Sequence, residues 1–208
     1  MIFKTKVIAY PLIDKYFEKS WKELTQFYEF TPKYKPKIFI IEDRKTIDAF
    51  METKTLKWCK NGCIRGNIFL LNPKKYSQVT DREFDPQRFY GSIIHELSHH
   101  FYVQIANHNK PVWLNEGVAL IFGDQLKYRK KPEKFVNFLK FSLINAEGEE
   151  TVYQESGFVI EKIISKFGKE KILELIKSLR SINNNDQFIK QFNRVYGFEL
   201  NYDNINNL

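Results

Sequence analysis

The chain has 208 residues, of which 43% are hydrophobic and 16% aromatic, so it carries enough apolar side chains for a folded core, and disorder is not expected except at the ends. Its formal net charge of +8 would suit an acidic partner. However, no basic stretch is interleaved with aromatic residues as in nucleic-acid-binding motifs, so a lysine-rich, solvated surface is the simpler interpretation.

The lack of a recognisable targeting segment and the low cysteine content both favour a cytoplasmic protein. No segment reaches the roughly 18 apolar residues of a membrane helix, and Pro11 and Asp14 interrupt the first apolar run too early for a signal peptide. We therefore expect no membrane span and no nucleic-acid partner, and the oligomeric state stays open. Cys59 and Cys63 are too few for a disulfide scaffold, and we expect two unpaired thiols or a chance pair beside a turn.

The first part of the chain mixes helices with strands. In chain order, hydrophobic periodicity and turn residues predict a helix at 14–30, a strand at 37–42, a short helix at 44–52, a turn within 61–65, a strand at 67–71 and a loop over 74–84. The strand at 67–71 is the last one predicted before the helix at 85–107, so we expect an extended substrate to pair with it as an edge strand.

From residue 85 onward only helices are predicted. Their expected ranges are 85–107, about 111–128, 132–142, 153–167, 169–180 and 186–195. Strands and helices followed by helices alone indicate the α+β class. We expect one domain over 1–208, with a small strand-containing lobe (about 1–84) and a helical lobe (about 85–208) around a cleft.

The segment His95-Glu96-Leu97-Ser98-His99 is an H-E-x-x-H motif on the helix predicted at 85–107. Residues i and i+4 of a helix differ by only ~40° around the axis, so both imidazoles can face one metal ion. An apolar stripe from Tyr90 to Ile105 lies on another face and can anchor the helix in the core. Gly91 and Ser92 lie one turn before the histidines, where their small size would leave room for a ligand.

A catalytic zinc ion needs a third protein ligand besides the two histidines. Glu116, 17 positions after His99 at the start of the next predicted helix, has the length and position for this role. Alternatively, Glu116 binds no metal and is simply a glutamate in the first turn of its helix, where the helix dipole favours a negative charge. Among the neighbours, His100 is on the wrong side of its helix, His108 is too far along the axis, and Asp124 is too short without a different docking of its helix. We expect His100 behind the ligands or at the surface, and His108 solvated.

The two segments His95–His99 and Trp113-Leu114-Asn115-Glu116-Gly117 together resemble the gluzincins, in particular the small peptidase MA-like families. This resemblance covers about residues 37–200 and is specific at the two metal motifs. It implies a zincin-like fold and a peptide or protein substrate. It also implies a Zn²⁺ ion held by His95, His99 and Glu116. The aminopeptidase segment Gly-x-Met-Glu-Asn is missing. The acidic residue that follows the third ligand in thermolysin-like enzymes is missing too, so no partner that orients the histidines is predicted.

The expected reaction is peptide hydrolysis by zinc-activated water with Glu96 as general base. Tyr153 is the candidate second donor to the oxyanion, because the resemblance places a tyrosine at the start of that helix; its alternative role is core packing. Two other functions compete with a zinc peptidase: a catalytically silent gluzincin-like protein that binds metal or a partner, and a basic nucleic-acid-binding protein. Retention of Glu96 argues against the silent protein, since a metal site alone does not need that base.

Overall fold

The computed structural model describes residues 6–57, 59–142 and 149–208. The first elements are α1 (Pro11–Tyr28), β1 (Ile38–Ile41), α2 (Arg44–Met51), β2 (Asn61–Ile64) and β3 (Asn67–Leu71). They are followed by a 3-10 turn (Pro73–Lys75) and the one-turn helix α3 (Tyr76–Val79), where a loop was predicted. The α+β class is therefore confirmed.

The sheet differs from the prediction in the position of its turn. Asn61 and Gly62 do not form a turn but begin strand β2, and the reversal falls at Arg65 and Gly66 instead. Both of these residues have positive φ angles, 49° and 76°, which is the geometry of a two-residue hairpin turn. Glycine adopts this conformation without strain, so Gly66 was the decisive turn signal.

The strand order is β1-β3-β2. Strand β3 pairs in parallel with β1, with Ile38 opposite Ile68, and antiparallel with β2, with Asn61 opposite Leu70. Strand β3 is therefore the central strand, and the prediction that it would pair with substrate as an edge strand is wrong. Strand β2 is an edge strand of this sheet.

The second part of the described chain is helical. Its helices are α4 (Pro86–Ala106), α5 (Val112–Phe122), α6 (Glu149–Phe167), α7 (Lys169–Ser178), α8 (Asn185–Tyr196) and the unpredicted α9 (Tyr202–Asn206). Two further 3-10 turns lie at Leu126–Tyr128 and Leu179–Ser181. Asp85 begins α4 as expected, with its side chain accepting from the N–H groups of Gln87 and Arg88.

The helix predicted at 132–142 is absent. Phe135 and Phe138 bury their side chains there, which produced the apolar pattern. The backbone, however, is held by side chains from elsewhere: the Glu155 carboxylate accepts from the N–H groups of Val136 and Asn137 at 3.0 and 2.8 Å. Buried N–H groups need partners, and here long-range side chains provide them instead of a helix.

Helix α4 is the centre of the core. It packs against α1, α5, α7 and the β2–β3 hairpin, and it buries Ile94, Leu97 and Phe101. Inside this packing the Tyr28 and Ser98 hydroxyl groups hydrogen-bond at 2.9 Å. A helix enclosed on several sides holds the two histidines in a fixed orientation. In the part of the chain that the structure describes, no helix is long and apolar enough to cross a membrane.

Candidate metal centre

Three side chains from two helices converge at one point. His95 and His99 lie one turn apart on α4, and their Nε2 atoms are 3.1 Å apart. Glu116, in the second turn of α5, places its Oε2 atom 3.5 Å from the Nε2 of His95 and 3.6 Å from the Nε2 of His99. The structure therefore brings together the three residues predicted as metal ligands.

These distances fit a single ion. Ligands about 2.05 Å from a tetrahedral zinc ion lie about 3.3 Å from one another, close to the three separations found here. The Oε2 atom of Glu116 is also buried without a hydrogen-bond partner in the described structure. A buried carboxylate oxygen in that state, facing two imidazole nitrogens, is what a cation would satisfy.

Asn115 orients His99 from behind. Its Oδ1 atom lies 2.9 Å from the Nδ1 of His99, while its amide nitrogen donates to the carbonyl of Asn109 at 3.4 Å. An amide oxygen only accepts, so Nδ1 carries the proton and Nε2 keeps its lone pair for a metal. No sequence pattern predicted this partner, although Asn115 is adjacent to Glu116 in the second motif.

The charges of the three candidate ligands shift the pKa values of one another. Burial disfavours protonated His95, but its contact with the Glu116 carboxylate and the charges of Glu96 and Glu116 outweigh burial and raise the pKa of His95. Burial likewise disfavours ionised Glu116, but His99 and His95, with help from Tyr153, lower the pKa of Glu116. The centre thus keeps an ionised carboxylate against two imidazoles.

Glu96 lies beside the ligands and lines the cleft. Its side chain is 8% exposed. Burial raises the pKa of Glu96, with the two histidines opposing that change and Glu116 adding to it. A carboxyl group of raised pKa that faces the cleft next to a metal centre is suited to proton transfer.

Tyr153 projects from the first turns of α6 toward the same centre. Its hydroxyl group lies 3.5 Å from the Oε1 atom of Glu116, and the residue lines the cleft. This position suits a donor to a substrate oxygen, and it also allows Tyr153 to steady Glu116. Helix α6 comes this close because Gly117 packs on it: a Cβ at Gly117 would lie 2.6 Å from the Ser156 carbonyl oxygen.

The cleft at the metal centre has a volume of about 840 Å³. Leu56 and Lys57, which follow α2, form part of its lining, and Arg44 holds these residues in place. The guanidinium donates to the Thr55 hydroxyl group and the Leu56 carbonyl oxygen at 3.0 Å each, and to the Lys57 carbonyl oxygen at 2.9 Å. Nothing in the sequence pattern singled out Arg44.

The residues rejected as ligands all lie elsewhere. His100 is buried, not at the surface, and its Nε2 contacts the Tyr34 carbonyl oxygen at 2.9 Å. His108 is partly buried rather than solvated, with its Nε2 3.0 Å from the Leu179 carbonyl oxygen. Asp124 forms an ion pair with Lys127 at the surface.

The structure also tests the expected roles of Gly91 and Ser92 and the expected state of the two cysteines. A Cβ at Gly91 would lie 2.3 Å from the Gly123 carbonyl oxygen, so Gly91 serves helix packing, and the room expected for a ligand is not there. Ser92 does line the cleft. No disulfide joins Cys59 and Cys63 in the described structure, as predicted.

A scan against protein-family models, a search of curated proteins and a search of solved structures found no match to this chain.

Proposed function

We propose that this protein is a zinc-dependent peptidase with a zincin-like fold, and that His95, His99 and Glu116 hold the zinc ion. One observation carries the proposal: three ligand atoms lie within 4.8 Å of one another beside a cleft. The resemblance of the two motifs to gluzincins agrees with this ligand set.

The ligand count favours a catalytic centre over a structural one. Structural zinc sites are closed by four protein ligands, whereas catalytic sites use three and leave one position for water or substrate. Within the described residues, the cluster has three members and lies beside an open cleft. Glu96 is not needed as a ligand, yet it is buried at the edge of that cleft.

Each side chain then has a defined task. A zinc ion at this centre would supply a Lewis acid that acidifies water and polarises a peptide carbonyl group. Glu96 accepts a proton from the attacking water and returns it to the leaving amine. The Tyr153 hydroxyl group donates to the carbonyl oxygen as negative charge develops on it. Asn115 keeps His99 in the tautomer that binds metal.

An extended peptide would bind along β2 rather than β3. Strand β2 is an edge strand, and Lys60 and Asn61 at its start line the cleft. A peptide added to this edge would gain main-chain hydrogen bonds and run past Glu96. The central position of β3 excludes it from this role.

Digestion of a broad peptide library tests the function. The zinc-loaded chain should cleave peptides, removal of the metal by a chelator should stop cleavage, and added zinc should restore it. The zinc-loaded Glu96→Gln variant is the matched control, and it should retain the metal but cleave nothing. Zinc binding without cleavage of any library peptide would favour the silent metal-binding alternative.

A further inference from the structure

Basic side chains dominate the walls of the cleft that leads to the metal centre. Five of the lining residues are cationic: Lys57, Lys60, Arg82, Arg88 and Arg129. The lining carboxylates are Asp81 and Glu96. A cleft with walls of low dielectric concentrates such a charge and attracts anions.

Some of these cations are already paired within the protein. Lys57 forms an ion pair with Asp81 at 2.9 Å. Arg88 lies 3.7 Å from Asp85 and stacks over the Tyr128 ring. Among the described residues, Lys60, Arg82 and Arg129 form no ion pair with a carboxylate, so their charge remains available to a ligand.

Among the described cations of the cleft, Arg129 has a buried donor atom that lacks a partner. It follows the 3-10 turn after α5 and lines the cleft together with Tyr153. Its Nε atom is buried without a hydrogen-bond partner in the described structure. Burial lowers the pKa of Arg129, with the charges of Glu116 and Tyr153 opposing that change. A guanidinium that is partly shielded from water in this way binds an anion more strongly than a fully solvated one.

Lys60 adds a second partly buried cation at the start of β2. Its ammonium group lies over the Tyr76 ring, 5.1 Å from the centroid. Burial lowers the pKa of Lys60 to about 8, and the neighbouring charges of Arg82 and Arg88 add to that change. An anion bound here would relieve repulsion among three cations.

We propose that this cleft selects peptides with a carboxylate beside the bond that is cut, and that Arg129 and Lys60 bind that carboxylate. The proposal rests on the peptidase function proposed above and specifies its substrate class. The carboxylate has two possible sources: an aspartate or glutamate side chain, or the free carboxyl terminus of the peptide. A guanidinium suits either one, because its donors match the two carboxylate oxygens.

Binding to the zinc-loaded Glu96→Gln variant tests this selection without turnover. Labelled peptides that differ only in Glu against Gln, each with a free or an amidated carboxyl terminus, separate the two sources. We expect the preferred acidic peptide to bind about tenfold more tightly than its neutral counterpart, the scale of one hydrogen bond to a charged group. Adding Arg129→Met should reduce this ratio to about threefold or less, and Lys60→Met should reduce it independently. Lys190→Met, which removes a charge from the exposed face of α8, should leave it unchanged.

Equal binding of acidic and neutral peptides would overturn the selection, and so would a ratio that survives both Arg129→Met and Lys60→Met. A single-stranded oligonucleotide that binds more tightly than the best acidic peptide would do so as well. Failure of the peptidase function is a separate result. In that case zinc-loaded wild-type protein cleaves no library peptide, whereas the Glu-to-Gln ratio and its loss in Arg129→Met persist. If library peptides are cleaved without preference for acidic residues, the peptidase function stands and the selection fails.

Discussion

Asn115 allows the sharpest test of how the protein prepares a histidine for metal binding. Asn115→Leu keeps the approximate volume of the side chain but removes the acceptor that lies 2.9 Å from the Nδ1 of His99. Asn115 is 5% exposed, so water has little access to replace the lost oxygen. The Nδ1–H group is then left buried without an acceptor, and the ring loses its preferred tautomer.

The expected loss follows from that hydrogen bond. A buried donor without an acceptor costs about 1–3 kcal/mol, and each 1.4 kcal/mol corresponds to a tenfold change in affinity. We therefore expect zinc affinity to fall by roughly 10–100-fold, the range found when the partners of metal-binding histidines are changed.

Competition with a zinc-binding chromophore measures this change. Asn115→Asp keeps an acceptor at the same place and should hold zinc at least as tightly as the wild type. Asn109→Ala is the control, because Asn109 contributes only its backbone carbonyl oxygen to this network. Unchanged zinc affinity in a folded Asn115→Leu variant would refute the proposed orienting role.

Three more predictions concern turnover, charge and packing. Tyr153→Phe should lower the rate of peptide cleavage by roughly 10–1,000-fold with little change in zinc affinity, as expected for one lost oxyanion donor. Lys60 has a folded-state pKa of about 8, below its unfolded value, so the folded state binds fewer protons between about pH 8 and 10.5. The free energy of unfolding should therefore rise with pH over that window in the wild type and rise less in Lys60→Met, measured by denaturant titration. Gly117→Ala should lower the melting temperature and slow cleavage, because a Cβ there meets the Ser156 carbonyl oxygen at 2.6 Å and pushes α6, with Tyr153, away from the centre.

Each of these has a contradicting result. An unchanged cleavage rate in Tyr153→Phe would mean that Tyr153 only packs in the core. Loss of zinc from this variant would mean that Tyr153 steadies Glu116 instead. Equal pH slopes in wild type and Lys60→Met would show that Lys60 is not desolvated. A Gly117→Ala variant with the wild-type melting temperature and cleavage rate would show that close packing of α5 on α6 is not required.

The sequence predicted the local parts of the centre well. The spacing of His95 and His99 depends only on helix geometry, which is set within a few residues. Helix α4 also begins at Asp85 and Pro86 as their capping preference predicted. Glu116, chosen as third ligand because a catalytic zinc ion would need one, lies beside both histidines.

The errors came from long-range contacts. The strand order places β3 between β1 and β2, and an apolar run such as 67–71 does not distinguish a central strand from an edge strand. The apolar pattern at 132–142 gave no sign that Glu155, far along the chain, would bind its backbone. The cationic lining of the cleft could not be predicted for the same reason, since Lys60 and Arg129 come to line one cleft only in the folded chain.

Zinc stoichiometry in Glu116→Ala and two control variants tests the central claim most directly. Purified wild-type protein should hold about one zinc ion per chain, and Glu116→Ala should bind zinc at least an order of magnitude more weakly, the low end of changes to a ligand shell. His108→Ala and Asp124→Ala are matched controls, because these residues lie in other contacts, and both should keep the metal. Full zinc occupancy with unchanged affinity in Glu116→Ala would contradict the proposed ligand set and, with it, the gluzincin-like centre.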